Sequence, residues 1–177
     1  TMDADGSRET RVTHNRPFWS VDPDWSPSGD RIAFASSLGS NDEIYTIDAD
    51  GSNQINLTNS AGREREPAWA PDGAVIIFES DRRGDFEIYV MNADGSNPFP
   101  LTDTGGYAPA WSPDGSRIAF WSQYWDAAAD IFVAEIWAID ADGTNQRRVG
   151  NGYWPGWSPA VFPQVPGGLA TTTPSTD

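Results

Sequence analysis

The sequence predicts an all-β fold, a β-propeller built from four-stranded antiparallel blades, on three observations. The motif "WSPSGDRIAF" from Trp25 has near copies as "WAPDGAVIIF" from Trp69 and "WSPDGSRIAF" from Trp111, and it begins again as "WSPAVF" from Trp157. Every complete copy is followed by "EIY" or "EIW" and then by an Asp-Gly pair. Between these landmarks the apolar residues alternate with period two, which is typical of half-buried strands. Such repeated units indicate blades stacked around an axis.

Turn residues separate four strands within each unit. Pro-Asp-Gly or Pro-Ser-Gly after the tryptophan joins the first strand to the second, because proline presets φ and glycine accepts a positive φ. In the first unit the second and third strands are "RIAFAS" and "EIYTID", and the turn "DADGSN" leads to the fourth strand, "QINLT". The third unit is longer, since 24 residues separate Trp111 from Glu135 against 18 from Trp25 to Glu43. We expect the extra residues to form a loop between its second and third strands.

The repeats assign residues 1–160 to the propeller. Complete blades are predicted at 20–58, 64–102 and 107–150. Residues 1–14 repeat only the end of a unit, and residues 153–160 repeat only its beginning. The sequence therefore predicts three complete blades and a fourth that is split between the termini. Residues 161–177 are rich in proline and threonine, which indicates a tail or linker.

The repeated residues resemble a known family. The pattern W-[SA]-P-[DS]-G-x-x-I-x-F, followed by "EIY", "DADG" and "LT", is similar to the blade signature of TolB-type propellers. These occur in periplasmic TolB and in the propeller domains of many secreted enzymes. The resemblance implies the propeller fold and a tendency to bind proteins or other ligands. It implies no single activity, because function depends on a site and not on a fold.

Charge and composition exclude several classes of function. The net charge is -15, with 26 acidic residues against 11 arginines, so we expect no nucleic-acid binding. No apolar run is long enough to predict membrane insertion. His14 is the only histidine, and no nucleophile or phosphate-binding motif is present, so the sequence predicts no enzyme and no cofactor. The Asp-x-Asp-Gly segments are interpreted as hairpin turns, with weak Ca²⁺ binding elsewhere on the acidic surface left open.

The repeat tryptophans Trp25, Trp69, Trp111 and Trp157 are predicted to pack between blades, because a residue at the same register in every unit serves the architecture. The alternative is a ring of aromatic side chains that stacks against sugars.

The expanded segment of the third unit contains the candidate partner-binding residues Trp121, Tyr124, Trp125 and Phe132. Aromatic side chains on a loop of a rigid scaffold are typical of protein-binding surfaces. The alternative is a loop that folds over the edge of its own blade.

These observations together predict a non-catalytic propeller that is extracellular or periplasmic. We expect a structural or assembly subunit, or a protein-binding scaffold, which self-associates into a homo-oligomer through its terminal strands. One alternative is a recognition module for a glycan or a protein. The other is the accessory propeller of a secreted hydrolase.

Overall fold

The fold is all-β, as predicted. The computed structural model describes residues 1–14, 19–103 and 105–157. Twelve strands are present in these residues: β1 (Ser20–Trp25), β2 (Arg31–Ser36), β3 (Glu43–Asp48), β4 (Ile55–Asn56), β5 (Glu64–Trp69), β6 (Val75–Ser80), β7 (Glu87–Asn92), β8 (Phe99–Pro100), β9 (Tyr107–Trp111), β10 (Arg117–Asp126), β11 (Ile131–Asp140) and β12 (Arg147–Asn151). No helix that could cross a membrane is found in the described part of the chain.

The strands form three four-stranded antiparallel sheets, which confirms the strand pattern expected from the repeats. Sheet 1 has the order β1-β2-β3-β4, sheet 2 the order β5-β6-β7-β8, and sheet 3 the order β9-β10-β11-β12. Within each sheet, every strand pairs with its neighbour along the chain. In each sheet the first strand carries an irregularity in its pairing with the second, which shifts the register by one or more residues.

Apolar side chains fill the spaces between adjacent sheets. Ile76 and Phe78 pack against Ala33 and Ile44 of sheet 1. Ile77, which alternates with them along β6, points the other way and packs against sheet 3. Because both faces of sheet 2 are covered, its second strand is a continuous apolar run in the sequence "VIIF".

The four repeat tryptophans occupy equivalent positions but differ in exposure. Trp69 is 6% exposed and lies in the cluster between sheets 1 and 2. Trp111 donates its indole N–H to the carbonyl oxygen of Ala68 at 3.3 Å, and Trp157 donates to Ala110 at 3.0 Å. Each of these indoles therefore joins one unit to the preceding one. Trp25 is 46% exposed, because no strand of the described residues precedes sheet 1.

The segments predicted to share a fourth blade do not form strands in the described structure. Residues 1–14 and 152–157 contain turns and extended chain only. Neither segment is paired as a strand with a described sheet, although Gly152 donates its N–H to the carbonyl oxygen of Ala134 on β11. Residues 158–160 and the predicted tail, 161–177, lie outside the described residues.

Both terminal segments nevertheless share backbone features with the complete units. At the amino end, Asp3 donates its N–H to the carbonyl oxygen of Ser7, as Asp48 does to Ser52 in sheet 1. At the carboxyl end, Trp154 has a φ of 45°, and the residue three positions before every other repeat tryptophan also has a positive φ.

The sheets do not close into a ring. Sheet 2 contacts both of its neighbours, whereas no strand described in sheet 3 contacts a strand of sheet 1. The outer faces of sheets 1 and 3 are therefore free of a neighbouring sheet in the described part of the chain, and the split fourth blade stays a prediction.

Candidate partner-binding surface

The extra residues of the third unit lengthen two strands and do not form the predicted loop. Strands β10 and β11 each have ten residues, whereas β2 and β3 each have six. They stay paired in register from Arg117–Asp140 to Asp126–Ile131. The pairing of β9 with β10 ends at Tyr107 and Trp121. Residues 122–126 and 131–134 therefore extend beyond the four-stranded part of the sheet. We call these residues the ribbon.

The predicted binding residues lie on strands, and the ribbon divides them between two faces. Trp125 and Phe132 are cross-strand partners, and their rings meet edge to face with centroids 4.9 Å apart. They are 50% and 62% exposed. Tyr124 is 48% exposed but lies on the opposite face, because successive side chains of a strand alternate. The structure therefore brings the rings of Trp125 and Phe132 into contact, whereas the side chain of Tyr124 leaves the ribbon from its other face.

Trp121 belongs to a row of aromatic rings at the base of the ribbon. It stacks on Tyr107, with ring centroids 4.5 Å apart, and meets Tyr153 edge to face at 5.0 Å. Phe86 continues the row beyond Tyr107 at 5.6 Å, and Trp154 lies beside Tyr153 at 6.2 Å. These five residues are called the aromatic row. Trp121 is only partly exposed, so it supports the ribbon more than it adds to its open surface.

Sequence reasoning missed the other members of the aromatic row. Tyr153 stands four residues before Trp157, and Tyr107 stands four residues before Trp111. The same position holds Val21 before Trp25. The sequence did contain a signal for these residues, because Tyr107 and Tyr153 are aromatic at a repeat position where the first unit has valine. The stacking partner, Trp121, is distant in sequence from Tyr153, so the row itself is visible only in the fold.

A groove of about 470 Å³ lies along the ribbon, next to Tyr107 of the aromatic row. Its lining includes Asp85, Tyr107, Gln123, the ribbon aromatics Tyr124, Trp125 and Phe132, and Glu135, which pairs with Arg148. Burial raises the pKa of Tyr107, and a hydrogen bond with the Gln123 side chain opposes this increase. The groove thus offers aromatic rings, an amide and a carboxylate, which suit an apolar or cationic group of a partner.

A second group of charged side chains lies where the first strands of the sheets meet. Burial raises the pKa of Glu79 to about 7, although the carboxylate accepts the Ala108 N–H at 3.2 Å. Burial also raises the pKa values of Asp22 and Glu66. Arg65 lies among these acids and pairs with Asp42 at 2.5 Å. No group of three acidic, histidine or cysteine side chains in the described residues could hold a metal ion.

The Asp-Gly turns use their carboxylates within the turn. Asp5, Asp50, Asp94 and Asp142 each accept the backbone N–H of the residue two positions later, at 2.8 to 2.9 Å. Hydrogen bonds from serine or threonine lower the pKa of each of these carboxyls. This geometry accounts for the repeated Asp-Gly pairs as capped turns.

Three antiparallel four-stranded sheets, joined face to face in sequence order, define the chain as a protein of the β-propeller class. It belongs to the TolB beta propeller domain family, whose model matches residues 2–135. The resemblance seen in the repeated motifs is therefore confirmed.

Solved structures with the same arrangement include two TolB proteins. A TolB of Agrobacterium tumefaciens is 28% identical with a TM-score of 0.67, over 80% of this chain and 53% of that one. TolB of Acinetobacter baumannii is 22% identical with a TM-score of 0.60, over 85% and 48% of the two chains. The chain thus spans about half the length of these TolB structures. No curated protein matches it.

The same fold also occurs in enzymes. An oligogalacturonate lyase in complex with manganese is 21% identical with a TM-score of 0.63, over 85% of this chain and 41% of that one. At this identity the likeness concerns the fold alone.

Proposed function

We propose that the chain is a non-catalytic protein-binding scaffold of the periplasm or the cell exterior, and that the ribbon of sheet 3 is its binding surface. The observation that carries the proposal is the exposed pair of Trp125 and Phe132 at the end of a two-stranded projection. Exposed aromatic clusters next to a groove are typical of binding surfaces, and aromatic residues dominate the binding energy of protein interfaces.

Family membership supports the location and the class of partner. The TolB-type resemblance implies a periplasmic or extracellular location and a tendency to bind proteins, which is consistent with a scaffold role. The alternative of an accessory propeller attached to a hydrolase is kept, because the fold also occurs in a lyase and in an acylaminoacyl peptidase. Glycan binding is the other alternative, since sugars also stack on exposed aromatic rings.

Replacing both Trp125 and Phe132 with alanine is expected to weaken partner binding by more than about 2 kcal/mol, roughly thirtyfold, without unfolding the protein. Both side chains are half exposed or more, so their loss leaves no cavity in the core. The measurement is quantitative cross-linking and mass spectrometry in a periplasmic or secreted extract of the source organism.

The matched control is Phe99→Ala, which removes another exposed aromatic ring from the short strand β8. Equal capture by the double variant and the unchanged protein would contradict the assignment. Loss of binding to a glycan array in the double variant, with protein capture unchanged, would favour the glycan alternative.

A second candidate function is assembly with other copies of the chain, and it rests on the open face of sheet 1. A groove of about 290 Å³ on this face is lined by Val12, Trp25, Ile32, Phe34 and Ile47, among others. In sheets 2 and 3 the equivalent apolar face is covered by the preceding sheet. Uncovered apolar faces and strand edges of this kind are typical sites of self-association.

If this face associates with another copy, light scattering on the intact chain is expected to give at least twice the monomer mass. Both Trp25→Glu and a chain lacking residues 1–14 should then be monomeric, because each removes part of the apolar groove. The Trp125→Ala/Phe132→Ala variant serves as the control and should keep the larger mass. A monomeric intact chain at the highest attainable concentration would exclude the assembly.

A further inference from the structure

In the part of the chain that the structure describes, one edge of the ribbon has no neighbouring strand. Pairing between β9 and β10 ends at Tyr107 and Trp121, whereas β10 continues to Asp126. Among the described residues no strand lies beside residues 123–126 on this side. The free edge is short and stands next to the groove lined by Gln123 and Trp125.

The backbone groups of this edge point away from the ribbon. The N–H of Gly152 donates to the carbonyl oxygen of Ala134 at 3.1 Å, so the peptide groups of Ala134 face away from β10. In an antiparallel pair, two opposite residues either both bond across the pair or both face outward. Gln123 lies opposite Ala134, and Trp125 lies two residues further along the same strand. Gln123 and Trp125 therefore direct their N–H and C=O groups to the free side.

The charges around the free edge favour a basic partner. Asp85 lines the groove, and Asp126 and Asp130 lie at the end of the ribbon. None of the three forms a salt bridge within the described residues. The net charge of the chain, -15, has the same sign and adds to this local potential.

We propose that the free edge at Gln123–Trp125 binds an extended basic peptide, which adds to sheet 3 as a further β-strand. The peptide backbone pairs with the outward groups of Gln123 and Trp125, and a side chain enters the groove beside Trp125 and Phe132. Arginine or lysine side chains of the peptide interact with Asp85 and the acidic end of the ribbon. An outward-facing strand edge suits a peptide better than a glycan, because a glycan has no backbone that repeats the strand spacing. This inference rests on the proposed binding role of the ribbon and specifies its ligand.

The probe is a synthetic six-residue peptide of alternating arginine and valine, titrated into the intact protein. Binding is expected to shift the backbone amide signals of Gln123 and Trp125 in nitrogen-15 NMR spectra and to change the tryptophan fluorescence. The control is the same peptide with alternate peptide nitrogens methylated, which keeps the charge and side chains but removes the donors that pair with a strand edge. We expect it to bind at least about tenfold more weakly.

Two protein variants test whether the backbone N–H of Gln123 pairs with the peptide. Gln123→Pro removes an N–H that no other described strand uses, and is expected to weaken peptide binding by about tenfold. Gln123→Ala keeps that N–H and loses the same amide side chain, so its affinity should stay within about twofold of the unchanged protein. Hydrogen exchange at Tyr124, whose amide faces β11, reports whether the ribbon remains paired in each variant.

Equal affinity of the methylated and unmethylated peptides would overturn the proposal, because charge alone would then explain the binding. Absence of binding by both peptides, or signal shifts confined to residues outside the ribbon, would also overturn it. If the peptide fails while Trp125→Ala/Phe132→Ala still abolishes partner capture, the proposed function stands and only this ligand class is wrong. If the peptide binds while partner capture is unaffected by that variant, the peptide site stands and the scaffold proposal fails.

Discussion

Replacing Trp69 with alanine is expected to lower the free energy of unfolding by about 3 to 5 kcal/mol. The indole is 6% exposed and lies between sheets 1 and 2, among Ala33, Ile44 and Phe78. Its removal leaves a cavity at the junction of two sheets, where neither sheet can move inward without disturbing its own strand pairing. Urea denaturation followed by circular dichroism measures the loss.

The matched control is Trp25→Ala, which makes the same change at the same repeat position. Trp25 is 46% exposed because no described strand covers sheet 1, so we expect its removal to cost no more than about 1 kcal/mol. Equal losses in the two variants would show that the repeat tryptophans stabilise each unit from within. A loss confined to Trp69 would support their predicted role in packing one unit against the next.

The repeated sequence contained most of the information that specifies the three sheets. Alternation along "RIAFAS" and "EIYTID" predicts strands, and Pro-Asp-Gly turns place consecutive strands side by side. The continuous apolar run "VIIF" in sheet 2 follows from burial on both faces, which a central unit in a stack requires. Local periodicity and turn chemistry therefore sufficed for the strands and their order.

The ribbon was predicted as a loop because an insertion by itself does not reveal whether its residues stay paired. In the structure, Tyr124 and Val133 continue the register of β10 and β11, since the extra residues are divided equally between the two strands. The segment between the strands lacks the glycine and proline that mark the other turns. A symmetric insertion in a hairpin, with aromatic and β-branched residues on both sides, could have indicated a longer ribbon.

The aromatic row and the grouping of acids depend on contacts between units, which periodicity within a unit does not report. Trp121 meets Tyr107 as its cross-strand partner on β9, whereas Tyr153 and Phe86 join the row from the following and the preceding unit. Glu79 similarly approaches Ala108 across the boundary between sheets 2 and 3. Locating such sites requires the positions of the units relative to one another. The sequence predicts the class of fold but not these positions.

Replacing Glu79 with glutamine is expected to stabilise the protein by up to about 3 kcal/mol at pH 8 and to change little at pH 4.5. Burial raises the pKa of Glu79 to about 7 from an ordinary value of 4.5. Between these two pH values the unfolded chain releases a proton that the folded chain retains. The free energy of unfolding contributed by this group is therefore largest below pH 4.5 and is lost as the pH rises through 7. Glutamine stays neutral and still offers an oxygen to the Ala108 N–H.

Urea midpoints of the two proteins at pH 4.5, 6 and 8 measure the effect. The control, Glu9→Gln, removes the same formal charge from an exposed position in the amino-terminal segment, and so separates burial from the general repulsion within an acidic chain. The fall in the free energy of unfolding with rising pH should be smaller in Glu79→Gln but should not disappear. Burial also raises the pKa values of Asp22 and Glu66, so these groups keep part of the pH dependence. A Glu79→Gln variant that is less stable than the unchanged protein at pH 8 would show that the carboxylate is charged and well paired in the folded state. In that case Glu79 would stabilise the junction of sheets 2 and 3 at neutral pH, and acidification would weaken that junction.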